Sequence, residues 1–198
     1  EASEMCPVLS THGILGGLWA DREGYVDTTG TVLAYAGAAK KNGATVIEHN
    51  RVLELNQTAE GWDVVTEKGT IICEHVVSAT GNFARKTGAM VGLNIPVIPV
   101  EHQYIVTEAH PDIQARHRDG KPEMGVLRDS EGQWYMREEA GGLILGPYES
   151  GAPVCYMDGP SDDSEYELFQ EDLQRLEPHI ESAIHRVPAF GESGVKRV

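Results

Sequence analysis

Positive charge is in short supply in this 198-residue sequence: 16 Lys and Arg stand against 31 Asp and Glu, for a formal charge of −15. A phosphate backbone would be repelled, so nucleic acid is excluded as a partner. Between Arg137 and Arg175 no Lys or Arg occurs while there are ten acidic residues. That stretch reads as a solvated loop leading into the polar face of a helix, not as a metal site. Long apolar runs are missing as well. Nothing approaches the roughly 20 apolar residues of a membrane-spanning helix, and no basic-then-apolar leader opens the chain, so neither a membrane nor a secretory form is expected. Cysteine is sparse: Cys6, Cys73 and Cys155 are widely spaced and form no C-x-x-C. This fits reduced thiols in a cytoplasmic setting better than a disulfide framework or a zinc site. The 8 histidines are scattered without metal-ligand spacing, so no metal is expected, and no G-x-G-x-x-G is found.

What is present alternates between helical and strand patterns. "EASEMCPVL" resembles the tail of a helix already under way and "GVKRV" a strand just starting, so the chain is expected to be a fragment of a longer protein. "ILGGLWADREGYVD" reads as a short strand and a Gly-rich turn. "TTGTVLAYAGAAKKNG" reads as a helix capped by Thr28 or Thr29 and stopped at Gly43. "ATVIEH", "VLELNQT", "WDVVTE" and "GTIICEH" are β-rich runs broken at Ala59-Glu60-Gly61 and Lys68-Gly69, an antiparallel meander. "VVSAT" is uninterrupted, as a strand buried on both faces would be, and runs through Gly81 into a helix over "NFARKTGAMVG". Then "VIPVEHQYIVTE", "GQWYMREE" and "GGLILGPYE" read as strands of an antiparallel sheet. From Ser161 to about Val187, Tyr166, Phe169, Leu173, Leu176, Ile180 and Ile184 recur at helical spacing, with Pro178 breaking or bending the helix into two pieces. The whole reads as an α/β nucleotide-binding core interrupted by a second, substrate-type layer.

Three places carry candidate chemistry. In "SATGNFAR", Gly81 lets the backbone approach a ligand closely, although a plain turn with Phe83 in the core fits the same residues. Strand alternation puts Ile98, Val100, His102, Tyr104 and Val106 on one face, where an imidazole is either a hydrogen-bonded core group or a site group. In "GQWYMRE", Gln133, Tyr135 and Arg137 share one side opposite Trp134 and Met136. That side is either solvent-facing or a phenol and guanidinium set to hold a carboxylate.

The segments "GGLWADREGYVDTTGTVLAYAGAAKKNGATVIEHNRVLEL", "VVSATGNFARKTGAMVGL", "IPVEHQYIVTE" and "LRDSEGQWYMREEAGGLILGPYE" together resemble the dimethylglycine dehydrogenase and sarcosine dehydrogenase branch of the D-amino-acid-oxidase-like FAD-dependent oxidoreductases. The order "HQY", "LRD", "GPYE" carries most of the specificity. The resemblance implies a mixed α/β fold in three stretches. Residues 1–96 would be part of a FAD-binding Rossmann-like domain with an antiparallel β-meander, 97–187 part of an antiparallel-sheet substrate domain, and 188–198 the start of the return to the FAD domain. Val52 would hold the adenine edge of FAD through its backbone, and Gly81 and Phe83 would lie against the cofactor. Relatives carry a Trp where this chain has Phe83. The main glycine motif for FAD and any histidine linked covalently to flavin would lie upstream, outside this sequence.

The activity implied is oxidation of the N-methyl group of a small amino acid, dimethylglycine or sarcosine, with FAD as hydride acceptor. The amine must be neutral so that its lone pair stabilises the iminium. Histidine, with a reference pKa of about 6.5, suits the removal of that proton, which is the role implied for His102. Tyr135 would orient the carboxylate and Arg137 would bind it. An electron-transfer flavoprotein or oxygen would reoxidise the flavin, and tetrahydrofolate would take the one-carbon unit if a C-terminal folate part exists. In a eukaryote the setting would be the mitochondrial matrix. Two other readings stand beside this one: a glycine-oxidase-like amine or amino-acid flavoenzyme, and a catalytically inert piece acting only as a binding module. Because the glycine motif is absent, the 198-residue chain purified by itself is expected to show no visible flavin absorbance and no activity; stoichiometric FAD on it would overturn the fragment reading.

Overall fold

The computed structural model describes residues 1–164 and 167–198. They divide into two units, one of Glu1–Tyr25, Glu101–Ala152 and Leu168–Val198, the other of Val26–Val100 and Pro153–Glu167. The fold is mixed α/β with antiparallel sheets.

A short helix, α1 (Ala2–Met5), opens the chain. The expected strand after it does not form: Leu15 and Leu18 are fully exposed, and no strand is assigned from 14 to 20. An apolar run becomes a strand only where a neighbour takes its N–H and C=O groups, and none does so here among the described residues. Helix α2 (Thr28–Lys41) starts where expected, but its N-cap is Asp27, not a threonine. The Asp27 carbonyl accepts from Thr31 N at 2.9 Å and from Thr31 Oγ1 at 2.7 Å, so Thr31 serves the first turn from inside the helix. The helix ends before Gly43.

The meander of the same unit is β1 (Val52–Gln57), β2 (Trp62–Thr66) and β3 (Gly69–Cys73), antiparallel in that order. Its turns fall at the expected breaks. "ATVIEH" before it stays outside the sheet, a further departure from the strand expected there. "VVSAT" also forms no strand, and Val77 is 89% exposed. The same pairing rule explains both: among the described residues no strand lies alongside to complete a ladder. A 3-10 turn at Gly81–Phe83 then leads into α3 (Ala84–Ala89).

The second sheet, in the other unit, has five strands in the order β5-β6-β7-β4-β8, from β4 (Ile105–Thr107), β5 (Leu127–Asp129), β6 (Trp134–Glu139), β7 (Gly142–Pro147) and β8 (Val195–Arg197). The long strand expected over "VIPVEHQYIVTE" shrinks to β4, plus an isolated bridge at Val100 in the other unit. His102 and Tyr104 therefore sit in extended chain ahead of the ladder.

Helix α4 (Pro111–Arg118) has Pro111 in its first turn, and the His110 side chain accepts from Asp112 N. Helix α5 (Leu173–Arg186) begins at Asp172, whose carboxylate accepts from Arg175 N at 3.1 Å, and runs through Pro178 as one assigned helix instead of two pieces. It also starts later than the spacing suggests. Phe169 precedes it, Leu168 is 94% exposed, and Tyr166 lies outside the described residues. A final turn, α6 (Pro188–Gly191), follows.

The core of this unit lies between one sheet face and the helices. Trp134 and Met136 of β6, Leu143 and Leu145 of β7 and Ile105 of β4 pack with Leu176 and Ala183 of α5 and with Phe190. Strand β6 alternates buried and half-buried residues without exception, the pattern a sheet with one dry face requires. The β6–β7 register pairs Glu139 with Gly142 across a two-residue turn in which Ala140 (φ +51°) and Gly141 (φ +81°) are both left-handed. Such a turn matches the twist of the flanking strands, but a β-carbon is disfavoured in that conformation. Ala140→Asn is expected to raise stability by about 0.5–1 kcal/mol, read as a higher urea midpoint at unchanged slope.

Candidate functional site

The face of the five-stranded sheet opposite the core is set by register. Tyr135 pairs with Arg128 on one side and with Gly146 on the other, and directly paired residues point the same way. A β-carbon on Gly146 would stand 2.2 Å from Tyr135 Cζ, so the phenol ring lies flat across the glycine. Continuing the Ile105–Leu145 pairing past the ladder's end brings His102 opposite Tyr148. Their ring centroids are 6.4 Å apart, and the Tyr148 ring lies 5.7 Å from that of Tyr135. Tyr148 thus links the two residues expected to be catalytic. The Arg128 guanidinium carbon stands 5.4 Å from the centre of the same ring. His102 is exposed, which removes the core-histidine alternative.

Arg137 shares this strand face but is occupied. Its Nη1 donates to Glu139 Oε2 at 2.6 Å and to the Glu138 carbonyl at 2.8 Å, and its guanidinium carbon lies 4.2 Å from the Tyr25 ring centre. The Tyr25 hydroxyl in turn donates to Glu123, and that carboxylate, ahead of burial, pushes the phenol pKa up.

Because residues 101–104 lack ladder hydrogen bonds, side chains hold them. Glu101 Oε2 accepts from Arg175 Nη1 at 2.8 Å, and Gln103 Oε1 accepts from Asp172 N at 2.8 Å. Glu149, next to Tyr148, accepts from Arg175 Nε at 2.8 Å. One guanidinium at the start of α5 therefore ties down the neighbours of both His102 and Tyr148. The Glu149 bond, and then that from Glu101, keeps the Arg175 pKa above arginine's ordinary value.

The residues expected at the cofactor lie in the other unit. Val52 opens β1, an edge strand whose outer backbone groups have no sheet partner among the described residues. Gly81 has φ +53°, and a β-carbon there would meet nothing within 4 Å. It is an open left-handed turn that backbone can present to a ligand. Phe83 is half-buried and its carbonyl accepts from Thr87 Oγ1 at 3.2 Å. Unpaired edge groups on β1 and an uncrowded glycine are features that would suit backbone contacts to a flavin dinucleotide. The basic residues nearby are spoken for: Arg51 pairs with Glu67, Asp162 and Asp163, and Lys86 donates to Asp162 at 2.9 Å, which holds that carboxyl below its usual pKa.

A family model described as FAD dependent oxidoreductase matches residues 1–197. The chain belongs to that family. The chain is 37% identical to the mitochondrial dimethylglycine dehydrogenase of Homo sapiens over 98% of its own length, and spans 23% of that protein. To the mitochondrial sarcosine dehydrogenase of Mus musculus it is 31% identical over 99% of its length, spanning 21% of the relative. Among solved structures, the L-proline dehydrogenase of P. horikoshii matches 99% of the chain and 48% of its own at a TM-score of 0.75 and 24% identity, which shows a shared fold.

Reasoning from sequence did not single out Arg128 and Tyr148, which meet on this face beside His102 and Tyr135. Both were visible as the centres of "LRD" and "GPYE", the short motifs on which the family resemblance rests. Gly146→Ala is expected to push the Tyr135 ring off β7 and weaken its contact with Tyr148, with little change in melting temperature because the ring can swing outward. Near-ultraviolet circular dichroism reads the ring contact and thermal melting reads the stability.

Proposed function

We propose that this chain supplies the substrate-facing sheet and part of the cofactor-facing region of a longer flavoprotein that oxidises the N-methyl group of a small amino acid, dimethylglycine or sarcosine. The observation that carries the reading is the Tyr148 ring joining His102 and Tyr135 on the non-core sheet face. Similarity to dimethylglycine and sarcosine dehydrogenases along almost the whole chain supports the substrate class. Residues 26–100, with the meander and Gly81, would serve the FAD domain, and the unit of the five-stranded sheet, with 101–152 and 168–198, the substrate domain.

FAD would be held at the β1 edge by Val52, at Gly81 and against Phe83, and when bound supplies the two-electron acceptor for the N-methyl carbon. His102 Nδ1 or Nε2 takes the ammonium proton of the incoming amino acid, leaving the lone pair free. The Tyr135 hydroxyl donates to the substrate carboxylate and fixes which carbon faces the cofactor. Apolar ring surface from Tyr148 and Tyr135 keeps water off the amine once it is neutral. An electron-transfer flavoprotein or oxygen as oxidant, tetrahydrofolate as one-carbon acceptor and a matrix location in a eukaryote belong to the same proposal. Among the described residues no helix is long and apolar enough to cross a membrane.

In the whole protein, flavin reduction is expected with dimethylglycine and sarcosine and much more slowly with glycine; preference for glycine sinks the N-demethylation reading. His102→Ala should lower the reduction rate on the order of 10²–10⁴-fold near neutral pH, with partial recovery at high pH, where the free amine is supplied by solvent. A stopped-flow pH series measures this, and an unchanged profile removes His102 from the reaction.

A further inference from the structure

The non-core face of the sheet carries arginines with different commitments. Arg137 is paired with Glu139, and Arg175 and Arg186, elsewhere in the same unit, are each paired with carboxylates. Arg128 has no carboxylate partner among the described residues, although the chain is strongly acidic. Its backbone is fixed by the ladder opposite Tyr135 and its guanidinium stands over Tyr148. A guanidinium lying on an aromatic face is attracted to the ring while its N–H edges stay available. Those edges form a rigid fork that matches the two oxygens of a carboxylate.

We infer that Arg128 is the residue that binds the substrate carboxylate, held in place by the Tyr148 ring and acting beside the Tyr135 hydroxyl. The inference rests on the substrate class proposed above and goes further in assigning the anion to Arg128 instead of Arg137. The amino group of a small amino acid lies one carbon from its carboxylate. Anchoring the anion at Arg128 sets the amine within the cluster to which His102 belongs, because Tyr148 contacts Arg128 and His102 alike. Arg197, whose guanidinium carbon lies 5.6 Å from the Tyr104 ring centre, is the competing cation on this face. Among the described residues the Tyr104 ring stacks on neither Tyr135 nor Tyr148, so Arg197 shares no ring with His102 as Arg128 does.

The test uses the whole flavin-loaded protein. Arg128→Gln is expected to raise KM for dimethylglycine about 10- to 100-fold, the size of a lost charged hydrogen bond, with kcat changed little because the interaction is made equally before and during reaction. Arg128→Lys, which keeps the charge but loses the fork, should raise KM about tenfold. It carries the test if the glutamine variant does not load flavin. Unchanged KM in the lysine variant, or a KM effect at Arg137→Gln or Arg197→Gln in place of Arg128, overturns the inference. Calorimetric titration with sodium acetate needs no turnover and so separates the two claims. If the protein oxidises no N-methyl amino acid yet acetate binding is lost in Arg128→Gln, the substrate reading fails and the carboxylate site stands. If acetate binds both forms equally, the site fails.

Discussion

The pairing of β6 with β7 is the constraint on which the sheet-bearing unit depends. Six consecutive residue pairs, from Trp134 with Pro147 to Glu139 with Gly142, fix the register. A slip of one residue would turn every side chain to the other face. The indole and thioether of Trp134 and Met136 would then meet water, and Tyr135 would be driven into the core. The buried face resists this strongly, since Trp134, Leu143 and Leu145 are essentially without exposure. Correct orientation of the candidate site is therefore a by-product of burying its opposite face.

Polar contacts do work that the core cannot. Glu138 points to the dry side with only 3% exposure, and is tolerated because Met124 N donates to it at 2.7 Å and His117 meets its other oxygen at 2.5 Å. A buried carboxylate with both oxygens engaged ties the segment before β5 and helix α4 to the middle of β6. Arg175 does the same at the other end, joining the extended chain around His102 to the residue after Tyr148 through Glu101 and Glu149. Neither element needs a longer strand to be held.

Legibility in the sequence followed the range of the interactions. The meander, α2, α3, the β6–β7 pair and the alternation of β6 all rest on neighbours close in sequence, and they appear where the residue pattern puts them. The runs at 14–20 and "VVSAT" look as strand-like as β3, yet stay outside both sheets. Strand formation requires a partner, and apolar character does not supply one. The "VIPVEHQYIVTE" segment shows the same limit in milder form, with only Ile105–Thr107 entering the ladder. In the site, His102 and Tyr135 were visible through motif and periodicity. Arg128 and Tyr148 stand in the short motifs "LRD" and "GPYE", but that the two meet could not be read there, because they come together only across paired strands.

The sequence by itself determined the character of the chain: acidic, without a glycine triplet or metal-ligand spacing, with a two-faced β-hairpin and the motif order of a flavoprotein family. These follow from composition and from repeats of two or three to four residues, which are local properties. Tertiary structure alone decided that Arg137 is paired with a carboxylate while Arg128 on the same sheet face has none among the described residues, which tyrosine touches both His102 and Tyr135, and that Glu101 and Glu149 converge on Arg175. Each depends on strands distant in the chain being brought into register, and the free energy that sets this register comes from the buried face, not from the residues of the site.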